Sequence, residues 1–392
     1  MKKRILIFSF LLINFLASAQ KNGAWKEVEN SFEFTQTKLR REVLPVQYKL
    51  YSFDYDKFKT QLVNVPAREN FTGVSNVVVS FPMPNGTIED FRIVEASTFE
   101  ESLQNQFPEI RSFAGQGVTN PSNVIRFSVS PYSGLSALIR SGSEGTTFII
   151  DPISMDYKTV IVFDRIHTKK SGDFICTTED AVQQFGQVLD RNADNNVVLN
   201  NADDGVLRRF RMAQSCTAEY ANYFGATSAA QVNLVLAAFN ATYTRCNAIF
   251  EMDFNATMVL IANTTSVIYY NAATDPYSPA SQLGNWNNEL QTTLTNVIGN
   301  ANYDIGHLFG ATGGGGNAGC IGCVCNTGKG SGYTSPADGI PMGDNFDVDY
   351  VAHEIGHQLG GNHTFSMSAE NNAVNMEPGS GVTIMGYAGI TG

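Results

Sequence analysis

His353, Glu354, His357, Gly360 and His363 stand in the order H-E-x-x-H-x-x-G-x-x-H. The whole chain holds five histidines, and three of them fall inside this stretch. His353 and His357 are four residues apart, so on a helix they lie one turn above each other on one face. Two imidazoles so placed can bind one Zn²⁺. Glu354 sits beside the first of them, where its carboxylate can reach the reacting water without ligating the ion, as a general base must. Gly360 has no Cβ and accepts a positive φ, which ends the helix and turns the chain so that His363 comes back as a third ligand. Three protein ligands leave the fourth position open, the arrangement of a catalytic rather than a structural zinc site.

The elements that must carry these residues can be read from periodicity. Residues 207–213 read as a strand, and 228–250 as a long amphipathic helix with Val232, Leu236, Phe239 and Tyr243 near helical spacing. A buried strand is expected at 256–261, a second helix at 282–298 and a strand at 303–309, followed by a glycine-rich loop over 313–319. Asp347 is a candidate N-cap for the helix that bears the motif. His307 reads as a strand residue rather than a ligand. Upstream, residues 40–165 are β-rich. Residues 74–81 alternate, Asn85-Gly86 marks a hairpin, and further strands are expected at 124–129, 136–139, 147–151 and 158–163. His167, the only histidine of this half, reads as an ordinary surface residue. A short helix over 179–189 leads into a polar run from Asp190 to Gly205, a linker open to proteolysis.

Lys2-Lys3-Arg4, the apolar stretch 5–16 and Ala17-Ser18-Ala19 form an export signal with cleavage before Gln20. That stretch is too short to span a bilayer comfortably, and no later run reaches about 18 apolar residues. The chain is therefore read as secreted or extracytoplasmic, with no integral membrane segment. Net charge is −11, and loss of the three basic signal residues takes it to −14, which argues against nucleic acid as a partner. In an exported chain the six cysteines read first as disulfides. Cys320-x-x-Cys323-x-Cys325 lacks a nearby fourth ligand for a metal knot and reads as a disulfide-braced loop. Cys216 and Cys246 are expected to pair. Cys176, the only cysteine of the N-terminal half, is open to three readings: a disulfide partner, a buried thiol or a zinc ligand.

The motif, followed by Thr383-Ile384-Met385-Gly386-Tyr387, resembles the metzincin clan of zinc endopeptidases, whose second mark is a methionine-bearing tight turn beneath the zinc. Within the clan, Phe346-Asp347-Val348-Asp349-Tyr350-Val351-Ala352 and Asn362-His363-Thr364-Phe365 are most similar to bacterial reprolysin-like secreted peptidases. Adamalysin-type members usually carry Asp directly after the third histidine, where this chain has Thr364. The resemblance covers roughly residues 205–392. It implies an α+β fold: a signal peptide (1–19), a β-rich propeptide domain (20–190), a linker with an activation cleavage (191–205) and a catalytic domain (206–392) with a mixed sheet over the active-site helix.

The resemblance further implies hydrolysis of internal peptide bonds in proteins or peptides. One Zn²⁺ would be held by His353, His357 and His363, with Glu354 as general base and Met385 as an apolar floor. Tyr387 would either stabilise the oxyanion, as in some metzincins, or line the wall of the site. Cys176 would occupy the open zinc position in a latent precursor. Clan members close the cleft with a C-terminal subdomain, yet only seven residues follow Met385, so a longer gene product is expected. Cysteine counting points the same way, since a free Cys176 leaves five others. Two rival functions use the same motif: an adhesion or binding protein on a metzincin scaffold, and a zinc amidase acting on cell-wall peptides. Retention of Glu354 favours an enzyme, because a binding module needs no general base. Cleavage specificity, calcium requirement and oligomeric state have no signal in the sequence.

Overall fold

A computed structural model describes residues 23–28, 43–142, 144–168, 174–179, 205–366, 376–379 and 381–387. The expected signal peptide, and all but the end residues of the expected helix at 179–189 and linker at 191–205, lie outside the described residues.

The N-terminal region is a nine-stranded antiparallel sheet in the order β1-β2-β9-β8-β7-β6-β5-β4-β3. Its strands are β1 Trp25–Val28, β2 Lys49–Phe53, β3 Val78–Pro82, β4 Ile88–Glu95, β5 Arg111–Gly117, β6 Val124–Ser130, β7 Gly134–Ser141, β8 Thr146–Pro152 and β9 Thr159–Asp164. Two short helices, α1 (Tyr55–Thr60) and α2 (Glu101–Gln106), lie in its connections. Asn85-Gly86 makes the β3–β4 turn, where Gly86 has φ +89° and donates its N–H to Met83 O. Period-two alternation sends successive side chains to opposite faces. Tyr51, Phe148, Ile150, Val160 and Val162 join an aromatic core with Phe58, Phe81 and Phe127. Their neighbours Leu50, Ile149, Ile161 and Phe163 face the other way, into a core shared with the C-terminal region. Both faces are covered, so these strands read as nearly continuous apolar runs.

The second sheet has six strands in the order β10-β14-β15-β13-β11-β12. These are β10 Ile175–Cys176, β11 Arg208–Cys216, β12 Ala256–Leu260, β13 Ile305–Phe309, β14 Gly315–Asn317 and β15 Gly332–Ser335. The pairing is parallel throughout except between β14 and β15. The helices are α3 (Ala218–Tyr223), α4 (Val232–Phe254), α5 (Trp286–Val297) and α6 (Ala352–Leu359). A π-helical stretch, Asn345–Val351, runs directly into α6. The glycine run expected to be a loop contains strand β14, and the two-residue strand carrying Cys176 pairs with it.

Helix α4 departs most from its sequence pattern. The spacing predicts one apolar face, but every residue from Val235 to Phe250 is buried. One side packs on β12 and the other on β5, β6 and β7, so the helix lies between the two sheets. Its polar residues are therefore buried and must each find a partner. Asn240 Oδ1 accepts from Thr98 Oγ1 at 2.6 Å and its Nδ2 donates to Arg111 O at 3.1 Å. Asn247 clamps Met258 of β12 through both its amide atoms, at 2.9 and 2.8 Å. Arg245, 2% exposed, donates to Asp151 of β8 and to Asp347 of the π-helical stretch. Burial disfavours its charge, but the two carboxylates more than offset this and hold the guanidinium above its ordinary pKa. Arg165 adds a bidentate pair to Asp349 at 2.8 and 2.7 Å. The two regions are thus joined by buried charge pairs as well as apolar packing.

Two expectations are corrected. Asp347 is not an N-cap; it lies inside the π-helical stretch and accepts from Thr242 Oγ1 at 2.7 Å and from Arg245. Cys216 and Cys246 do not pair. Both are buried thiols in the shared core, and Cys246 Sγ donates to Asp347 O at 3.3 Å, so it is already engaged in joining α4 to the π-helical stretch. Cys320 bonds to Cys323, which is the disulfide-braced loop expected from the sequence, and Cys325 is exposed with a free thiol.

Replacing Arg245 with Met would leave two buried carboxylates without a counter-charge. The expected loss is about 3–5 kcal/mol, read as a lower urea midpoint at unchanged slope. Arg245→Lys should recover only part of it, because a single ammonium does not reproduce the two-ended guanidinium. A midpoint unchanged by Arg245→Met would show that the bridge is not what joins the regions.

Candidate metal centre

Helix α6 carries His353, Glu354 and His357, all fully buried, and ends at Gly360 with φ 117° and ψ 3°. Only glycine holds that conformation readily. The turn is closed by Gly360 N to His357 O and Gly361 N to Gly356 O, both 2.9 Å. A neighbouring loop braced by the Cys320–Cys323 disulfide adds two donors at the helix end: Gly322 N gives His357 O a second bond at 3.0 Å, and Val324 N reaches Gln358 O at 3.3 Å. The chain then returns with His363.

The result is a convergence of lone pairs. His357 Nε2 lies 3.1 Å from His353 Nε2 and 3.1 Å from His363 Nε2. Cys176 Sγ is 3.6 Å from His357 Nε2, and Tyr387 Oη is 3.2 Å from His363 Nε2. The ligand atoms of Cys176 and the three histidines all fall within 4.8 Å of one another. His353 Nδ1 donates to Ile384 O at 2.9 Å and His357 Nδ1 to Gly361 O at 2.7 Å. With Nδ1 carrying the proton, each Nε2 turns a bare lone pair toward the centre. Burial pushes His353 down to about 3, and His357 is likewise lowered, by burial and then by its neighbouring imidazoles. Both rings are neutral, as metal ligands must be. Nitrogen lone pairs at such distances repel unless a cation lies between them, so the donor set fits a divalent ion that takes imidazole and thiolate, such as zinc.

Glu354 lies beside this centre without being part of the cluster. Burial raises its carboxyl to about 8, opposed by hydrogen bonds from Cys176 and Thr178. Thr178 Oγ1 donates to Glu354 Oε2 at 3.1 Å and accepts from Ala318 N at 2.8 Å. A Cβ at Gly316 would stand 2.2 Å from Glu354 Oε1, so the bare Gly316 backbone is what lets β14 lie this close to the carboxylate.

Met385 lies in a 3₁₀ turn, Ile384–Gly386, capped by Thr383. Its Sδ would stand 2.7 Å from a Cβ on Gly356, so the thioether packs against α6 directly under the ligand-bearing face. The same turn supplies the Ile384 carbonyl that orients His353. Thr364, where the sequence departs from the adamalysin pattern, donates through Oγ1 to Glu377 Oε2, as does Thr383 Oγ1, both at 2.9 Å. One carboxylate thus ties the segment after His363 to the methionine turn.

His307 is a buried residue of β13. It donates through Nδ1 to Gln358 Oε1 at 2.9 Å and accepts from Thr334 Oγ1 at 2.8 Å, while Gln358 Nε2 donates to Gly306 O at 3.0 Å. Burial lowers it to about 4, so it is neutral and locks α6 to the sheet. Sequence reasoning passed over Gly356, Gln358, Gly316 and Thr178. The two glycines lie where neighbours press on the backbone, and a glycine two residues before the motif's Gln358 carries no such signal by itself. Thr178 had only its closeness to Cys176 to mark it.

Residues 207–392 match the model of the metallo-peptidase family M12B, reprolysin-like. No curated protein matches the chain.

Substituting His363 by Ala should remove most bound zinc while leaving the fold intact, because one of three converging donors is lost. Metal analysis of the purified variant measures this; unchanged stoichiometry would mean that the third protein ligand lies elsewhere.

Proposed function

We propose that this chain, reprolysin-like and metzincin-type over residues 207–392, is the latent precursor of a secreted zinc endopeptidase. The observation that carries the reading is the convergence of three imidazole nitrogens on one point beside a buried carboxylate. The family match supports a zinc-dependent peptide hydrolase, with proteins or peptides as substrates. Cleavage of internal bonds, export through residues 1–19 and latency are the finer parts of the proposal. No helix among the described residues is long and apolar enough to cross a membrane. No observation favours a binding-only scaffold or a cell-wall amidase.

His353, His357 and His363 would hold the ion, which supplies Lewis-acid polarisation of the scissile carbonyl and an acidified water. Glu354 takes a proton from the attacking water and delivers it to the leaving amine. The Tyr387 hydroxyl, beside the same centre, is available to donate to the developing oxyanion. Met385 holds α6 from below and touches no substrate in this scheme.

Latency rests on the segment 174–179. Its backbone pairs with β14 through Ile175 N to Gly314 O at 3.1 Å and Thr177 N to Gly316 O at 2.9 Å. Cys176 occupies the position beside the three nitrogens, and a thiolate is a good zinc ligand. Thr178 engages the base. The segment therefore blocks the open ligand position and the proton acceptor together. Cleavage within the linker at 191–205 would free residues 206–392 from it.

Glu354→Ala should retain zinc and lose activity by about 10³-fold, since ligands and base are separate groups; wild-type turnover by that variant would remove Glu354 from its role. Cys176→Ser should give an uncleaved precursor with measurable activity toward a quenched peptide, and Thr178→Val should add to it. A Cys176→Ser precursor as inert as the parent would refute the thiol latch.

A further inference from the structure

Phe174 lies two residues before Cys176, so along the extended segment the two side chains leave on the same side, toward the centre. Ile175 between them is 59% exposed and points away. The Phe174 ring is buried and lies flat on the ring of Tyr350, with centroids 4.1 Å apart and planes 6° from parallel. Its edge faces β14: a Cβ on Gly316 would stand 2.6 Å from Phe174 Cζ, and the same Cβ would meet the Glu354 carboxylate. Phe174 thus fills a slot walled by the Tyr350 face and the bare Gly316 backbone, next to the base. Tyr350 is itself buried, three residues before His353, on the π-helical stretch that is continuous with α6.

From this geometry we infer that the slot filled by Phe174 is a substrate subsite for a planar aromatic side chain, with Tyr350 as its specificity-determining residue. The inference rests on the peptidase reading above. A peptide that adds to the β14 edge in place of residues 174–177 sends alternate side chains to the same side as Phe174. A flat ring keeps the stacking contact with Tyr350; a branched aliphatic chain fills the volume without it. Stacked aromatic pairs contribute beyond their buried area, enough for a roughly two- to tenfold preference. Gly316 makes the slot possible, since any side chain there would take the space of the ring edge.

Two measurements test this. In the full chain, Phe174→Ala opens the slot while leaving the segment in place, and an apolar cavity of this kind accepts small apolar molecules. Benzene should raise the melting temperature of that variant more than cyclohexane does, and adding Tyr350→Leu should erase the difference. Equal shifts with the two probes would overturn the aromatic slot. The second measurement is a peptide-library digest with the full-length protein after limited proteolysis. Phe, Tyr and Trp should be enriched at one fixed position from the cleaved bond, and Tyr350→Leu should bring the ratio of kcat/KM for matched Phe and Leu peptides down toward one. Cleavage without aromatic enrichment, or enrichment indifferent to Tyr350→Leu, would overturn the inference. Absence of any hydrolysis, with the benzene preference intact, would sink the peptidase reading and the substrate role with it, while the slot itself would stand.

Discussion

Three imidazole nitrogens aimed at one point cannot satisfy one another. All three are buried, and His353 and His357, whose Nδ1 protons are engaged outward, turn bare Nε2 lone pairs inward with no proton to share. Left alone, such rings would rotate apart. The surrounding structure prevents this from several directions. The Ile384 and Gly361 carbonyls hold two of the rings, the left-handed Gly360 brings the third histidine back, and the Met385 thioether lies against Gly356 beneath them. The loop over 320–324 caps the end of α6, and the His307–Gln358 pair ties the helix to β13. These contacts spend protein interactions to keep a repulsive donor set in place, which makes physical sense only for residues that bind a cation.

The second constraint is α4. A helix covered on both sides must bury its polar residues, and each of them is used as a connector. Asn240 and Thr244 reach the N-terminal sheet, Asn247 reaches β12, and Arg245 reaches both regions at once. Asp347, one end of the Arg245 bridge, sits in the stretch that continues into the ligand-bearing helix. The N-terminal sheet is therefore coupled to the metal centre through few side chains. Arg165 and Asp349 reinforce the same path from another strand end. A region with this many buried charge pairs against its neighbour does not separate without exposing them to water or leaving them unpaired.

The segment around Cys176 is short, yet it meets the site with three consecutive alternate side chains. Phe174 lies flat on Tyr350, Cys176 faces the nitrogens, and Thr178 bonds the Glu354 carboxylate. An extended strand does this naturally, because residues i, i+2 and i+4 share one side. Pairing with β14 sets the register, and a slip of one residue would turn all three away from the cleft. The glycines of β14 let the strand come this close.

Much of the centre was legible in the sequence because its geometry is local. The four-residue spacing of His353 and His357, the glycine that must turn and the third histidine are consequences of helix period and backbone sterics, both of which a linear sequence encodes. Strand positions in the N-terminal half were readable from another local signal: short runs rich in β-branched and aromatic residues, such as those of β8 and β9, mark buried strands. Tertiary packing decided the rest. Helix α4 looked amphipathic, and only a second sheet could bury its polar side. Asp347 looked like a cap, and only Arg245, far away in the chain, made it a bridge. Cys216 and Cys246 looked like a pair, since sequence reports that cysteines exist but not where the fold carries them. The run at 313–319 looked like a loop, because glycine signals freedom in isolation and close approach only when a neighbour is present. Local period is written along the chain; partners distant in sequence are chosen by burial, which forces each polar or charged group to find whichever partner the packed structure brings within reach.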